Sequence, residues 1–131
     1  DANPDTYLPD LAMTLNNLGN LYRDRHDVAA AQAAYDEALH IYRRLTDTNP
    51  DTYLPDVAMA AVNLSILYQN NMPDREKSLA YASEALAAAG PFVEVLPACQ
   101  EYAHAALQVV EAWGIDAKAF LEETLKTTEN K

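Results

Sequence analysis

The chain has 131 residues and a net charge of −11, with nine basic residues against twenty acidic ones. Polyphosphate and anionic membranes are recognised by clustered lysine and arginine, so neither nucleic acid nor a membrane surface is an expected partner. No apolar run approaches the roughly 20 residues that cross a bilayer, and the lone Cys99 rules out an intrachain disulfide framework and fits a reducing, cytoplasmic setting.

Glycine is scarce and almost no segment alternates with period two, so helices are expected throughout. Leu11, Leu15, Leu18 and Tyr22 recur at spacings of four, three and four, which places them on one buried helical face. Thr6 is the expected cap of this first helix, and Pro9 its opening turn. Asp27 is the expected cap of a second helix, which carries Ala31, Ala34, Tyr35, Ala38, Tyr42 and Leu45 and stops before Asn49-Pro50. A third helix is read from about Thr52 to Asn70, and a fourth begins near Pro73-Asp74 and ends at Gly90-Pro91. A third pair is read from about Phe92 to Trp113 and from Asp116 to Lys126, hinged at Gly114, with a frayed polar tail from Thr127. Trp113 is expected to plug the end of that last hairpin; an exposed position would instead suggest a docking surface.

The strongest organisational signal is internal. Asn-Pro-Asp-Thr-Tyr-Leu-Pro-Asp occurs at Asn3–Asp10 and again at Asn49–Asp56, an offset of 46 residues. Met13 through Tyr22 is echoed by Met59 through Tyr68, and Glu37-Ala38-Leu39 by Glu84-Ala85-Leu86 at an offset of 47. Repetition at this period indicates a stacked solenoid, in which each unit buries its apolar face only against its neighbours. The expected architecture is all-α: one domain of three antiparallel helix-turn-helix hairpins, at about 3–48, 49–90 and 91–127, the last degenerate and capping. The tyrosines Tyr22, Tyr35, Tyr42 and Tyr68 fall at core spacing, and Tyr7 and Tyr53 are expected to wedge one hairpin against the next.

Leu15, Leu18-Gly19, Tyr22, Ala31, Tyr35 and Ala38 stand at the spacings of the tetratricopeptide repeat family, which the chain resembles. The second unit keeps Leu64, Tyr68, Ser78 and Ala85, while Ala61, Ser65 and Ala82 replace a leucine, the glycine and the second-helix aromatic. The third unit, with Ala103, Ala106-Leu107 and Val110, is degenerate. The long period resembles the subclass typified by kinesin light chains. The resemblance implies a superhelix whose first helices line a groove for an extended peptide or a partner helix. Carried over by position, the groove residues are Met13, Asn16, Asn17, Asn20 and Arg23, then Met59, Val62, Asn63, Ile66 and Gln69, and in the third unit Glu101, His104 and Gln108. A side-chain amide both donates and accepts, so asparagines can hold an extended backbone without demanding its sequence. The basic residues of the family's carboxylate clamp are missing: Asn16, Glu101 and Ala105 stand in their places, which argues against chaperone-tail binding.

His26, His40 and His104 lie far apart without companions at metal-ligand spacing, and no nucleophile–base motif or phosphate loop is present. The expected function is therefore a non-enzymatic protein–protein interaction module without cofactor or metal, forming the C-terminal part of a longer scaffold or regulatory chain. The alternative is an architectural segment that packs on another domain or self-associates.

Overall fold

The computed structural model describes residues 4–129 and contains six α-helices: α1 (Pro4–Asp24), α2 (Val28–Thr46), α3 (Pro50–Asn70), α4 (Arg75–Ala89), α5 (Pro97–Ala112) and α6 (Ala117–Glu129). They pack in succession as an all-α solenoid. The first helices α1, α3 and α5 form one row and α2, α4 and α6 the other. Within the second row, Arg43 of α2 donates to Glu84 of α4 through Nε at 2.7 Å, and Ser83 of α4 meets Thr124 of α6 at 3.2 Å.

The helix starts follow from local chemistry. Asp27 Oδ1 accepts from the Ala30 amide at 3.3 Å, and Asp74 Oδ1 from the Lys77 amide at 3.1 Å, each satisfying a donor that the first helical turn leaves free. Pro50 occupies the opening of α3, where a missing amide proton costs little. Thr6 and Pro9, by contrast, lie inside α1 rather than at its start. Pro9 and its repeat counterpart Pro55 are interior prolines that cannot donate to the carbonyl four residues back. Phe92 does not begin α5: it closes a 3-10 turn at Gly90–Phe92, and the helix waits for Pro97. The reason is Leu96, held extended at φ −120° and ψ 110° by the proline that follows. Gly114 turns the chain between α5 and α6 with φ +83°, and Thr127–Glu129 continue α6 rather than fray.

The core runs continuously through the hairpins and is rich in alanine; Ala31, Ala38, Ala58, Ala60, Ala61, Ala82 and Ala106 are fully buried. Small side chains let helix axes approach closely. Tyr35, Tyr42 and Tyr68 are buried, while Tyr22 and Tyr53 are half-buried against the core. Tyr7, expected to wedge a junction, is exposed. The buried stripe of α1 is likewise rotated from the expected one. Leu8, Ala12, Asn16 and Gly19 are buried, whereas Leu11 is exposed and Leu18 is half-buried.

The first two hairpins close on different contacts. In the first, Gly19 lies under the Tyr35 ring; a Cβ there would come within 2.5 Å of it. In the second, Ser65 and Ala82 stand at the equivalent positions, and the freed space takes hydroxyls. Ser65 Oγ donates to the Ser78 carbonyl at 2.7 Å, and Ser78 Oγ to the Ser65 carbonyl at 2.8 Å. Trp113 then reaches back from the end of α5, its Nε1 donating to Ser78 Oγ at 2.9 Å. It neither plugs the last hairpin nor stands free; it ties α5 to the start of α4.

Three predictions follow from this packing. Gly19→Ala should cost about 1–3 kcal/mol in a urea melt, because the buried Tyr35 ring cannot yield. Leu64→Ala should cost about 2–5 kcal/mol, clearly more than Leu18→Ala, although the two leucines are repeat equivalents; equal losses would refute the rotated stripe. The third concerns Asp56, whose carboxyl burial pushes above its usual range. A carboxyl that holds its proton more tightly when folded is stabilising below the unfolded value, and that contribution is lost as pH rises through the folded one. Asp56→Asn should therefore melt higher than wild type at pH 7, and the difference should shrink on acidification.

Candidate functional site

The row formed by α1, α3 and α5 carries the residues expected to line a groove. Its seam between α1 and α3 is held by side chains. Asn63 Nδ2 donates to Asn16 Oδ1 at 3.0 Å, and Asn16 Nδ2 faces the Met59 sulfur at 3.8 Å. Asn16 is only 3% exposed, so this amide fixes one repeat against the next and is not free for a ligand. Val62 is also buried and shapes the row from beneath. Asn20 is partly committed, because its Oδ1 accepts the Tyr35 hydroxyl at 2.5 Å. That bond anchors the same ring that Gly19 admits.

The remaining positions keep surface to offer. Met13, Asn17, Glu101, His104 and Gln108 are exposed, and Arg23, Met59, Asn63, Ile66 and Gln69 are half-buried. Arg23 and Ile66 meet in an open cleft of about 660 Å³ where α1 and α3 end. Asp24, His26, Asn70 and Asn71 complete its lining. These four were not anticipated. Asp24 and Asn70 are repeat equivalents at the last turns of α1 and α3, so the 46-residue register was the signal that could have placed them. His26 adopts φ 63° in the turn after α1, a left-handed conformation that commonly closes helices and usually falls to glycine or asparagine.

The chemistry available here is recognition. The cleft and its flanks present amides, one arginine, one carboxylate, a histidine and an isoleucine. Among the described residues no group of three or more His, Cys, Asp or Glu is placed to hold a metal ion. Cys99 is fully buried, and burial, then nearby Asp56, push its thiol pKa up, away from the reactive thiolate. Among the described residues no helix is long and apolar enough to cross a membrane.

Comparison with known proteins agrees with the architecture. The family model for the tetratricopeptide repeat matches residues 11–51, which cover most of α1, all of α2 and the first turn of α3. The match supports a tetratricopeptide repeat relationship; such repeats generally mediate protein–protein interaction and are typically non-enzymatic. No curated protein and no solved structure matches the chain.

The seam makes a specific prediction. Asn63→Ala leaves the buried Asn16 carboxamide without its donor and should cost about 1–3 kcal/mol. Asn17→Ala, its exposed repeat equivalent, should change the urea midpoint by less than the error of the measurement. Matching effects would contradict the bridge.

Proposed function

We propose that the chain is a protein-interaction module that holds an extended peptide or partner helix along the row of α1, α3 and α5. The observation that carries this reading is the division of labour among the amides. Asn16 and the Nδ2 of Asn63 are spent on the seam, while Asn17, Gln69, Asn70 and Asn71 retain surface on the same row as the half-buried Ile66. Neutral amides satisfy backbone donors and acceptors of any sequence, and Ile66 supplies an apolar anchor point for one side chain. The net charge of −11 favours encounter with basic segments. The 21-residue lengths of α1 and α3, with the 46-residue register, support the long-helix subclass typified by kinesin light chains. The three-hairpin division at about 3–48, 49–90 and 91–127, a cytoplasmic location and the place of the module within a scaffold belong to the same proposal.

A second, architectural use draws on a separate observation, the uncovered apolar outer face of α1.

The test is selection from a random-peptide display library, followed by amide shift mapping of a selected peptide on the full chain. Perturbations should cluster on α1, α3 and the Arg23–Ile66 cleft. Ile66→Glu should weaken the peptide by roughly tenfold or more, the scale of a lost anchor, with unchanged melting. Perturbations confined to α2, α4 and α6, or an indifferent Ile66→Glu, would reject the groove.

A further inference from the structure

The row of α2, α4 and α6 carries two seams of unlike construction. Between α2 and α4, polar side chains of α2 reach across the gap. Arg43 donates to Glu84 through Nε at 2.7 Å, and Asp36, held by Gln32 at 3.1 Å, lies 3.5 Å from the Tyr81 hydroxyl. At the 47-residue offset, the α4 counterparts of Gln32, Asp36, His40 and Arg43 are Leu79, Ser83, Ala87 and Gly90. These are apolar, short or without a side chain. Ser83 reaches Thr124 of α6 at 3.2 Å, and the rest of that seam stays open. The groove between α4 and α6 has a volume of about 710 Å³, against about 400 Å³ beside α2.

The groove has an apolar floor and an acidic rim. Leu79 and Phe120 are half-buried in it, and Ala80 is exposed. Glu76, Glu84 and Glu123 also line it. Arg43 is the one cation in this lining, and it is already paired with Glu84. Lys77 is turned away, over the Tyr68 ring at 5.4 Å. Among the described residues no cation pairs with the exposed carboxylates of Glu76 and Glu123. Such a lining attracts a positively charged partner with apolar side chains to bury.

The lining also selects the partner's conformation. The row of α1, α3 and α5 is rich in side-chain amides, but this groove has none. Its hydroxyls Ser83 and Thr124 bond each other. An extended segment laid here would find few partners for its backbone groups, whereas a helix satisfies its own. From Glu76 to Ala87 the α4 wall runs about 16 Å, three turns of helix.

We propose that the groove between α4 and α6 is a docking site for a basic amphipathic helix of about three turns. Its apolar stripe rests on Leu79, Ala80 and Phe120, and its lysines or arginines face Glu76 and Glu123. The site lies outside the row of α1, α3 and α5 and does not depend on peptide binding there.

The probe is a capped helical peptide of leucine and lysine, with leucines at spacings of three and four, titrated into the full chain. Amide shifts should cluster on α4 and α6. Glu76→Gln with Glu123→Gln should weaken binding roughly fivefold or more, the scale of two rim ion pairs. Glu94→Gln with Glu111→Gln, which removes the same charge elsewhere, should change it by less than about twofold. Ala80→Arg, at an exposed position, should weaken it roughly tenfold or more with unchanged melting, because it fills the groove with a like charge. Equal losses from the two glutamine pairs would overturn the proposal, since binding would then follow net charge alone. So would shifts centred on α1, α3 and α5, equal affinity for the same peptide with glutamate in place of lysine, or no saturable binding up to about 1 mM.

Discussion

The spacing between the two helices of each of the first two hairpins is set by what lies at one crossing point. In the first hairpin, glycine at position 19 lets the Tyr35 ring lie on the α1 backbone. In the second, Ser65 and Ala82 exchange the volume between partners, and a reciprocal pair of serine-to-carbonyl bonds replaces the ring. Interiors are packed as densely as organic crystals, so a change at one member of such a pair is tolerated only with a compensating change at the other. Two units with near-identical junctions thus reach the same hairpin by different contacts.

The compensation also carries the connections between units. The Tyr35 hydroxyl continues from its packed ring to Asn20, on the side of the groove row. Ser78, free of any aromatic neighbour at position 82, receives the indole of Trp113 and so links the second unit to α5. On the opposite row, the two-pronged Arg43–Glu84 pair spans α2 to α4, and the parallel stack of Tyr68 on Tyr81, 5.9 Å apart, joins α3 to α4. The ion pair is half-exposed and contributes about 1 kcal/mol at most; buried alanine and tyrosine surfaces set the geometry.

Much of this fold was legible from the chain alone, because repetition is read by eye and helix caps are local. Asp27, Asp74 and Gly114 act where turn chemistry puts them. The errors arose where an element's partners lie elsewhere in the chain. Periodicity says that α1 has an apolar stripe but not which of its stripes a neighbour covers, so Leu11 and Leu18 were placed in a core that Ala12 and Gly19 occupy. Leucine outranks glycine and alanine on any hydropathy scale, yet close helix approach selects the smaller residues. The groove set was limited for the same reason. Sequence position could assign Asn16 to the row, but only the neighbouring Asn63 reveals that its amide is already used.

A repeat array is a one-dimensional object, so its stability is a sum over units and the interfaces between them. Among the described residues, the first and last helices both expose apolar side chains, in different company. On α6, Glu122, Glu123 and Lys126 are exposed beside Leu125, which is 40% exposed. On α1 the exposed side chains include Tyr7, Leu11 and Leu21, which gain by being covered. The register equivalents of that α1 stripe, Val57, Ala60, Leu64 and Leu67 of α3, are buried. Each unit stacked in this way lengthens the row of α1, α3 and α5 as well.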